Sequence, residues 1–122
     1  MNRLLMAVAL AAGLFSGVRS KVERTGLSRP PREKNCEIQF SQQKAPEREH
    51  EVLGRIEVWV RRNKLTMGRR AVYEEAEPEL QKQACQLGAE AVVVVQQTVS
   101  HSGEFKLLYV KSHAIRFTGK AE

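Results

Sequence analysis

The chain has 122 residues, with 20 lysines and arginines, 14 acidic residues and a formal net charge of +6. This is the size of one small domain, and the mild basic excess favours contact with anionic surfaces without indicating nucleic-acid binding. Every acidic residue is a glutamate, so an Asp-based calcium loop, an aspartic dyad and an Asp-oriented Ser-His pair are excluded unless glutamate replaces aspartate.

Residues 1–20 have the pattern of a secretory signal peptide. Arg3 supplies a positive start, and residues 4–15 form an uncharged apolar stretch that is too short to span a bilayer. Val18-Arg19-Ser20 places small residues at the two positions that matter for cleavage, so we expect processing near Ser20. The alternative interpretation is an amphipathic helix buried in the domain. Export predicts a periplasmic or outer-membrane-associated protein.

The end of this leader resembles that of bacterial lipoproteins. Residues 14–17 (Leu-Phe-Ser-Gly) are similar to the segment that precedes the lipid-modified cysteine, but Val18 stands where that cysteine would be. Without a thiol there is nothing to acylate, and Cys36 lies in the wrong context to replace it. The pattern favours soluble export, whereas an uncleaved leader would tether the protein to the membrane.

Residues 21–35 are polar and basic, and they are interrupted by Gly26, Pro30 and Pro31. This composition predicts a flexible polar linker, although an ordinary frayed terminus would have the same composition. The folded unit is then expected as a single domain over residues 36–119.

Two strands are predicted at the start of that domain. Residues 36–40 alternate apolar and polar side chains, and residues 51–60 do the same over a longer stretch. The longer strand places Ile56, Val58 and Val60 on one face and Arg55, Glu57 and Trp59 on the other. Gly54 is expected to mark a bulge near its start.

A helix follows a basic connection. Its apolar stripe has residues three or four apart: Tyr73, Ala76, Leu80, Ala84 and Leu87. Pro78 is expected in or near the first turn, because a proline deeper in a helix removes a backbone hydrogen bond. Gly88 is placed to end the helix in a left-handed conformation.

The remaining sequence predicts further strands. Residues 89–96 are a β-branched run typical of a central strand covered on both faces. Residues 105–111 and 113–118 follow it as further predicted strands. The order ββαββ predicts an α+β two-layer fold, in which a small mixed sheet of four or five strands packs one main helix on one face. The strands on either side of the helix are expected to be parallel, with the later strands added by hairpins.

The segment from Leu80 to Val95 carries a resemblance to known proteins. Leu87-Gly88-Ala89, together with the earlier run Val52 to Ile56, resembles small exported bacterial α/β domains. These include the outer-membrane stress-sensor lipoprotein of the Rcs phosphorelay and, more distantly, YbjQ-type domains named for heavy-metal binding. The resemblance implies a sensing role, but the Rcs sensor has a lipid anchor and four disulfide-forming cysteines, whereas this chain has two cysteines.

Those two cysteines, Cys36 and Cys85, are expected to form a disulfide, because the predicted compartment is oxidising. Two separate buried thiols are the main alternative. A redox-active or metal-binding pair is disfavoured because no CxxC spacing is present.

A basic cluster is the most conspicuous candidate surface. It consists of Arg61, Arg62, Lys64, Arg69 and Arg70. These cations could bind lipid phosphates or an acidic partner, or they could form a solvated loop that keeps the protein soluble. Trp59 is a candidate exposed contact residue on its strand, although such a tryptophan more often packs under a loop.

No metal or catalytic site is predicted. His50, His101 and His113 show no metal-ligand spacing, although His101 and His113 flank the terminal hairpin and could approach each other. No nucleophile elbow, carboxylate pair or glycine-rich phosphate loop organises catalytic residues, and no cofactor is indicated.

The sequence therefore predicts a non-catalytic exported cell-envelope protein that acts through an envelope protein or an anionic envelope surface, in sensing or assembly. Peripheral membrane association is compatible with this hypothesis, whereas nucleic-acid binding is not. The alternative is a small-ligand or metal-binding domain, which the resemblance to YbjQ-type domains would make a homo-oligomer.

Overall fold

A mixed five-stranded sheet and one helix make up the regular structure of the described chain. The computed structural model describes residues 17–26, 28–42, 44, 46–63 and 73–118. Its elements are β1 (Gly17–Arg24), β2 (Gln39–Gln42), β3 (His50–Asn63), α1 (Tyr73–Leu87), β4 (Ala91–Ser102) and β5 (Phe105–Phe117). The predicted α+β two-layer class is confirmed, with one helix on a five-stranded sheet.

The strand order in the sheet is β1-β3-β5-β4-β2. Both β3 and β4 pair antiparallel with β5, so these two strands run parallel to each other, as predicted for the strands that flank the helix. β4 and β5 form a hairpin, and β2 adds parallel to β4 at one edge. β1 pairs antiparallel with β3 at the other edge.

The main core lies between α1 and one face of the sheet. On β3, Ile56, Val58 and Val60 point into it and are at most 1% exposed, as the two-residue period predicted. Its other strand residues and its helix residues are Leu53, Val92, Val94, Leu108, Val110, Ala114, Ala76, Leu80, Ala84, Cys85 and Leu87. The small residues Ala76 and Ala84 let the helix backbone approach the sheet closely.

Gly88 ends α1 in the left-handed conformation that was predicted, with a φ of 82°. Its N–H donates to the carbonyl of Cys85 at 3.1 Å, and the N–H of Ala89 donates to that of Ala84 at 2.9 Å. These two bonds satisfy carbonyls that the last helical turn would otherwise leave unpaired. Pro78 is the sixth residue of α1, so it lies in the second helical turn rather than in the first.

The two bulges and the length of β5 set the register of the sheet. The register of β3 against β5 shifts between Val52 and Gly54, where the sequence predicted a bulge, and a second shift lies between Val94 and Gln96 on β4. The predicted strands 105–111 and 113–118 are one continuous strand. Ser112, which interrupts the apolar pattern between them, is buried and donates its hydroxyl to the carbonyl of Ile56 at 2.9 Å.

A smaller apolar cluster lies on the opposite face of the sheet. Ala91, Val93 and Ile115 are nearly fully buried there, with Val95 and Phe117 packed against them. The guanidinium of Arg48 lies 4.3 Å from the centre of the Phe117 ring. The first residues of β4 are therefore covered on both faces, as their β-branched run predicted.

The segment predicted as a flexible linker differs from that expectation. Residues 17–24 form β1, which spans the boundary expected at Ser20, and residues 28–38, here called the strap, run along the end of α1. β1 was missed because seven of its eight residues are exposed, so backbone pairing rather than an apolar period holds it. Residues 1–16 of the predicted leader lie outside the described part of the chain.

The strap is fixed to the helix by side-chain and backbone bonds. The N–H of Arg32 donates to the carbonyl of Cys85 at 2.7 Å, and its guanidinium donates to that of Ala89 at 2.6 Å. Gln81 donates its side-chain amide to the carbonyl of Cys36 at 2.7 Å. The predicted disulfide between Cys36 and Cys85 is present, and both residues are buried in the core.

We expect the disulfide to contribute a large share of the stability. It closes a loop with a sequence separation of 49 residues, for which the chain-entropy relation gives about 4 kcal/mol. Urea unfolding of the wild type should lose about that much free energy on addition of reductant. The double variant Cys36→Ala, Cys85→Ala should resemble the reduced wild type and should not respond to reductant. A wild-type unfolding curve that reductant leaves unchanged would contradict the prediction.

The two described glycines with positive φ form a matched pair for a second prediction. A Cβ at Gly88 would lie 2.6 Å from the carbonyl oxygen of Pro30, whereas a Cβ at Gly103 would meet nothing within 4 Å. Gly103→Ala should cost about 1 kcal/mol from the left-handed backbone alone. Gly88→Ala should cost about 1–3 kcal/mol more, because the strap must move. Equal midpoints of thermal or urea unfolding for the two variants would refute the close contact.

Candidate functional site

The predicted basic cluster does not form one surface within the described residues. Arg61 and Arg62 are neighbours on β3 and therefore point to opposite faces of the sheet. Arg62 lies on the helix side, where its Nε donates to the carboxylate of Glu75 at 2.8 Å. Arg61 lies on the other side, over the ring of Phe105 at 4.1 Å. Lys64, Arg69 and Arg70 lie outside the described residues.

The face of the sheet opposite α1, here called the helix-free face, collects more functional groups. Its residues stand in rows that cross β1, β3 and β5, since paired residues share a face in a sheet. The three central rows are Arg19, Trp59 and Tyr109, then Lys21, Glu57 and Lys111, then Glu23, Arg55 and His113. Arg61 and Leu107 form the next row. Five cations and two carboxylates therefore meet on these rows.

Two aromatic rings lie at the centre of this face. Trp59 and Tyr109 are directly paired, with ring centroids 5.5 Å apart and planes tilted by 42°. The guanidinium of Arg19 lies 5.1 Å from the centre of the Trp59 ring, within the range of a cation–π contact. The structure thus places Trp59 on the face that its sequence position predicted, half-buried between a cation and a second aromatic ring.

Glu57 is the acidic counterpart at the centre of the helix-free face. It lies between Lys21 and Lys111 in its row, and its carboxylate accepts a hydrogen bond from the hydroxyl of Tyr109. Burial of the phenol and this bond to a carboxylate raise the pKa of Tyr109 to about 12. Tyr109 is therefore a neutral hydrogen-bond donor at physiological pH.

The other ionisable groups give the face a positive character. Glu23 forms a salt bridge with Arg55 at 2.7 Å, whereas neither Lys21 nor Lys111 has a salt bridge among the residues that the structure describes. The pKa of His113 is lowered by burial and then by the nearby charges of Lys111 and Arg55. Burial is the larger cause, and the two neighbouring cations act on this imidazole in the same direction.

The histidines and cysteines do not assemble into a metal site in the described part of the chain. His101 pairs with Lys106 on the helix side of the sheet, and His113 pairs with Val93 on the helix-free face. The two imidazoles therefore do not approach each other, and that expectation was wrong. Cys36 and Cys85 are bonded to each other, and no group of three potential ligand residues occurs among the described residues.

A shallow groove runs beside α1 on the other side of the molecule. It has a volume of about 360 Å³ and its lining includes Val18, Glu75, Glu79, Lys34 and Lys82. Ser20 of β1 donates to Glu79 across it at 2.5 Å. Both signs of charge are dispersed around this groove, and no set of polar groups converges in it, which small-ligand sites usually require.

Sequence reasoning identified Trp59 and Arg61 but missed the residues around them. Arg19 and Lys21 were assigned to the leader and the linker, and Tyr109 and Lys111 were treated only as strand residues. The available signal was the alternation in residues 105–117, which places Tyr109, Lys111 and His113 on one face. Their position beside Trp59 depends on the register between distant strands, which the alternation alone does not give.

Comparisons of the chain with protein-family models, curated proteins and solved structures gave no match. None of the helices in the described ranges has the length and apolar character needed to cross a bilayer. Any function of the helix-free face must therefore be argued from the residues of this chain.

We predict that the Tyr109 to Glu57 contact can be read through Trp59, the only tryptophan of the chain. Ionised Tyr109, 5.5 Å away, should quench Trp59 emission as the phenol titrates near its pKa of about 12. Glu57→Gln should shift this quenching to lower pH, because it removes the negative charge that disfavours tyrosinate. The midpoint should stay above the ordinary tyrosine value of 10.0, since burial remains the larger cause.

Tyr109→Phe is the control, since it should abolish the alkaline quenching, and circular dichroism at each pH reports whether the fold persists. An unchanged midpoint in Glu57→Gln would show that the carboxylate does not hold the phenol.

Proposed function

We propose that this chain is a non-catalytic exported cell-envelope protein whose helix-free face binds the phosphates of anionic lipid head groups. The single observation that carries the proposal is that Lys21 and Lys111 stand on either side of Glu57, in the row next to the Trp59 and Tyr109 pair. These lysines have no salt bridge in the described chain, so their charges are available to a ligand.

The composition of this face suits a membrane interface. Tryptophan and tyrosine favour the zone between water and lipid tails, because each has an apolar ring and a polar atom. Lysine and arginine near an anionic bilayer each contribute about 1 kcal/mol of attraction. A flat sheet face that presents both kinds of residue can lie against head groups without inserting a helix.

Several features support the location that the proposal requires. The disulfide is compatible with an oxidising compartment, where such bonds persist. The apolar segment at residues 4–15 supports export. The resemblance to the Rcs stress-sensor family supports a role in envelope sensing or assembly by analogy, with surface binding as the contact that holds the domain in place.

The proposal predicts salt-sensitive binding that depends on one face of the protein. Co-sedimentation with vesicles of phosphatidylglycerol and phosphatidylcholine should show binding that weakens as salt rises, with none to phosphatidylcholine alone. Lys21→Gln combined with Lys111→Gln should weaken the affinity about 30-fold, since two lysines are removed from the contact. Neither lysine forms a salt bridge in the described chain, so the fold should persist.

The matched control is the pair Lys44→Gln and Lys82→Gln, which removes the same charge from exposed lysines outside the helix-free face. This pair should retain nearly all the binding. If both double variants lose binding equally, the attraction comes from net charge alone and the proposed face is wrong. If the purified protein does not bind anionic vesicles at low salt, the lipid proposal fails and an acidic protein partner becomes the next candidate.

A further inference from the structure

The outer edge of β1 is unpaired among the described residues. β1 is the first strand in the sheet order, and its eight residues pair only with β3. The N–H of Thr25 donates to the carbonyl of Leu53 at 3.1 Å, which sets the alternation of backbone bonds along the ladder. Val18, Ser20, Val22 and Arg24 therefore direct their N–H and C=O groups outward, away from β3.

This edge lacks the proline and the bulge that protect many sheet edges, although four of its eight residues are charged. β1 has no proline, and its pairing with β3 runs without a register shift from Gly17 to Arg24. Two of its side chains on the α1 side, Val18 and Val22, are 37% and 36% exposed. By contrast, β2 at the opposite edge has only four residues. A straight edge of eight residues with exposed valines is a template for another strand.

We propose that two copies of this chain pair antiparallel through β1, about a two-fold axis at Val22. In this register Val22 faces Val22 of the partner subunit, and their outward N–H and C=O groups form a hydrogen-bonded pair. Lys21 faces the partner subunit's Glu23 on the helix-free face, and Glu23 faces the partner subunit's Lys21. Ser20 faces the partner subunit's Arg24, and Arg24 faces the partner subunit's Ser20.

Charge complementarity selects this register over the neighbouring symmetric ones. An axis at Lys21 places the two lysines opposite each other, and an axis at Glu23 does the same to the two glutamates. An axis at Ser20 places Arg19 opposite the partner subunit's Lys21 twice. Like charges directly opposite are destabilising in antiparallel pairs, whereas opposite charges and paired β-branched residues stabilise them. Only the axis at Val22 gives two attractive pairs and an apolar pair together.

Glu23 can contact Arg55 of its own chain and Lys21 of the partner subunit at the same time. Its Oε1 accepts from Arg55 of its own chain at 2.7 Å, and its side chain is 54% exposed. The second carboxylate oxygen therefore remains accessible to Lys21 of the partner subunit. The three central positions, Lys21, Val22 and Glu23, follow the cleavage expected near Ser20. Cleavage there would keep the Val22 pair and both Lys21 to Glu23 pairs but would shorten the edge by four residues and remove the Ser20 to Arg24 pairs.

Charge exchange provides the first test. Sedimentation equilibrium of the purified protein should give a concentration-dependent dimer. Lys21→Glu or Glu23→Lys should each weaken dimerisation about tenfold or more, because each converts two attractive pairs into two repulsive ones. The double variant Lys21→Glu, Glu23→Lys should restore it, since the charges are again opposite. Lys44→Glu makes the same charge change on an exposed residue elsewhere and should leave the dimer unchanged.

Cross-linking provides a second test that does not depend on charge. In the proposed register the two Val22 Cα atoms lie about 5.5 Å apart, within the range of a disulfide. Val22→Cys should therefore form a reducible covalent dimer on oxidation. Arg24→Cys, also exposed and on the same side of the strand, should not, because its two copies are about 14 Å apart.

A wild type that is monomeric at every concentration would overturn the proposal. A double charge variant that stays monomeric, or equal cross-linking of Val22→Cys and Arg24→Cys, would also overturn it. Both readouts are taken without vesicles. Because Lys21 takes part in both proposed contacts, the single variant Lys111→Gln on β5, outside the β1 pairing, tests the lipid contact separately from the dimer.

Discussion

A single helix has to cover a sheet that is wider than the helix, and most of the structure follows from this mismatch. Five strands at about 4.8 Å spacing span about 19 Å, roughly twice the diameter of one helix. α1 lies mainly over β3 and also contacts β1, β5 and β4, and Val58, Val110 and Ala84 are completely buried between the helix and the sheet. The two edges of the sheet, at β1 and β2, must be covered by something other than the helix, and the two edges differ in this respect.

At the margin near β2, the strap fills the space that α1 leaves. Cys36 and Ile38 extend the core beside the helix, and the disulfide fastens the strap to α1. At the margin near β1, no comparable segment is seen in the described chain. Val18 and Val22 remain exposed there, and a groove lined by Val18 lies between β1 and the helix, although Ser20 still donates a hydrogen bond to Glu79. The same geometric mismatch thus gives a covered margin on one side and, in the described chain, an unpaired edge with exposed valines on the other.

The sequence predicted the elements that show a regular spacing of apolar residues or that need one particular residue at a defined position. The stripe from Ala76 to Leu87 identified the helix, and Gly88 identified its end, because both signals are local. β1 and the pairing of Trp59 with Tyr109 were not predictable in this way. An edge strand buries too few side chains to show a period. Two residues 50 positions apart are brought together by the register of β3 against β5, which shifts between Val52 and Gly54.

The strap also changes how this protein should behave towards proteases. Residues 28–38 have the composition of a linker and include Arg32 and Lys34. Trypsin cleaves after arginine and lysine where the chain is disordered. Yet the backbone N–H of Arg32 is bonded to α1, and the strap is covalently joined to the helix at Cys36. A protease must bind its substrate in an extended, accessible form, so cleavage here requires the strap to lift off the helix first. The rate of nicking in native protein thus reports local opening of the strap, and reduction of the disulfide should turn a protected segment into the first site of digestion.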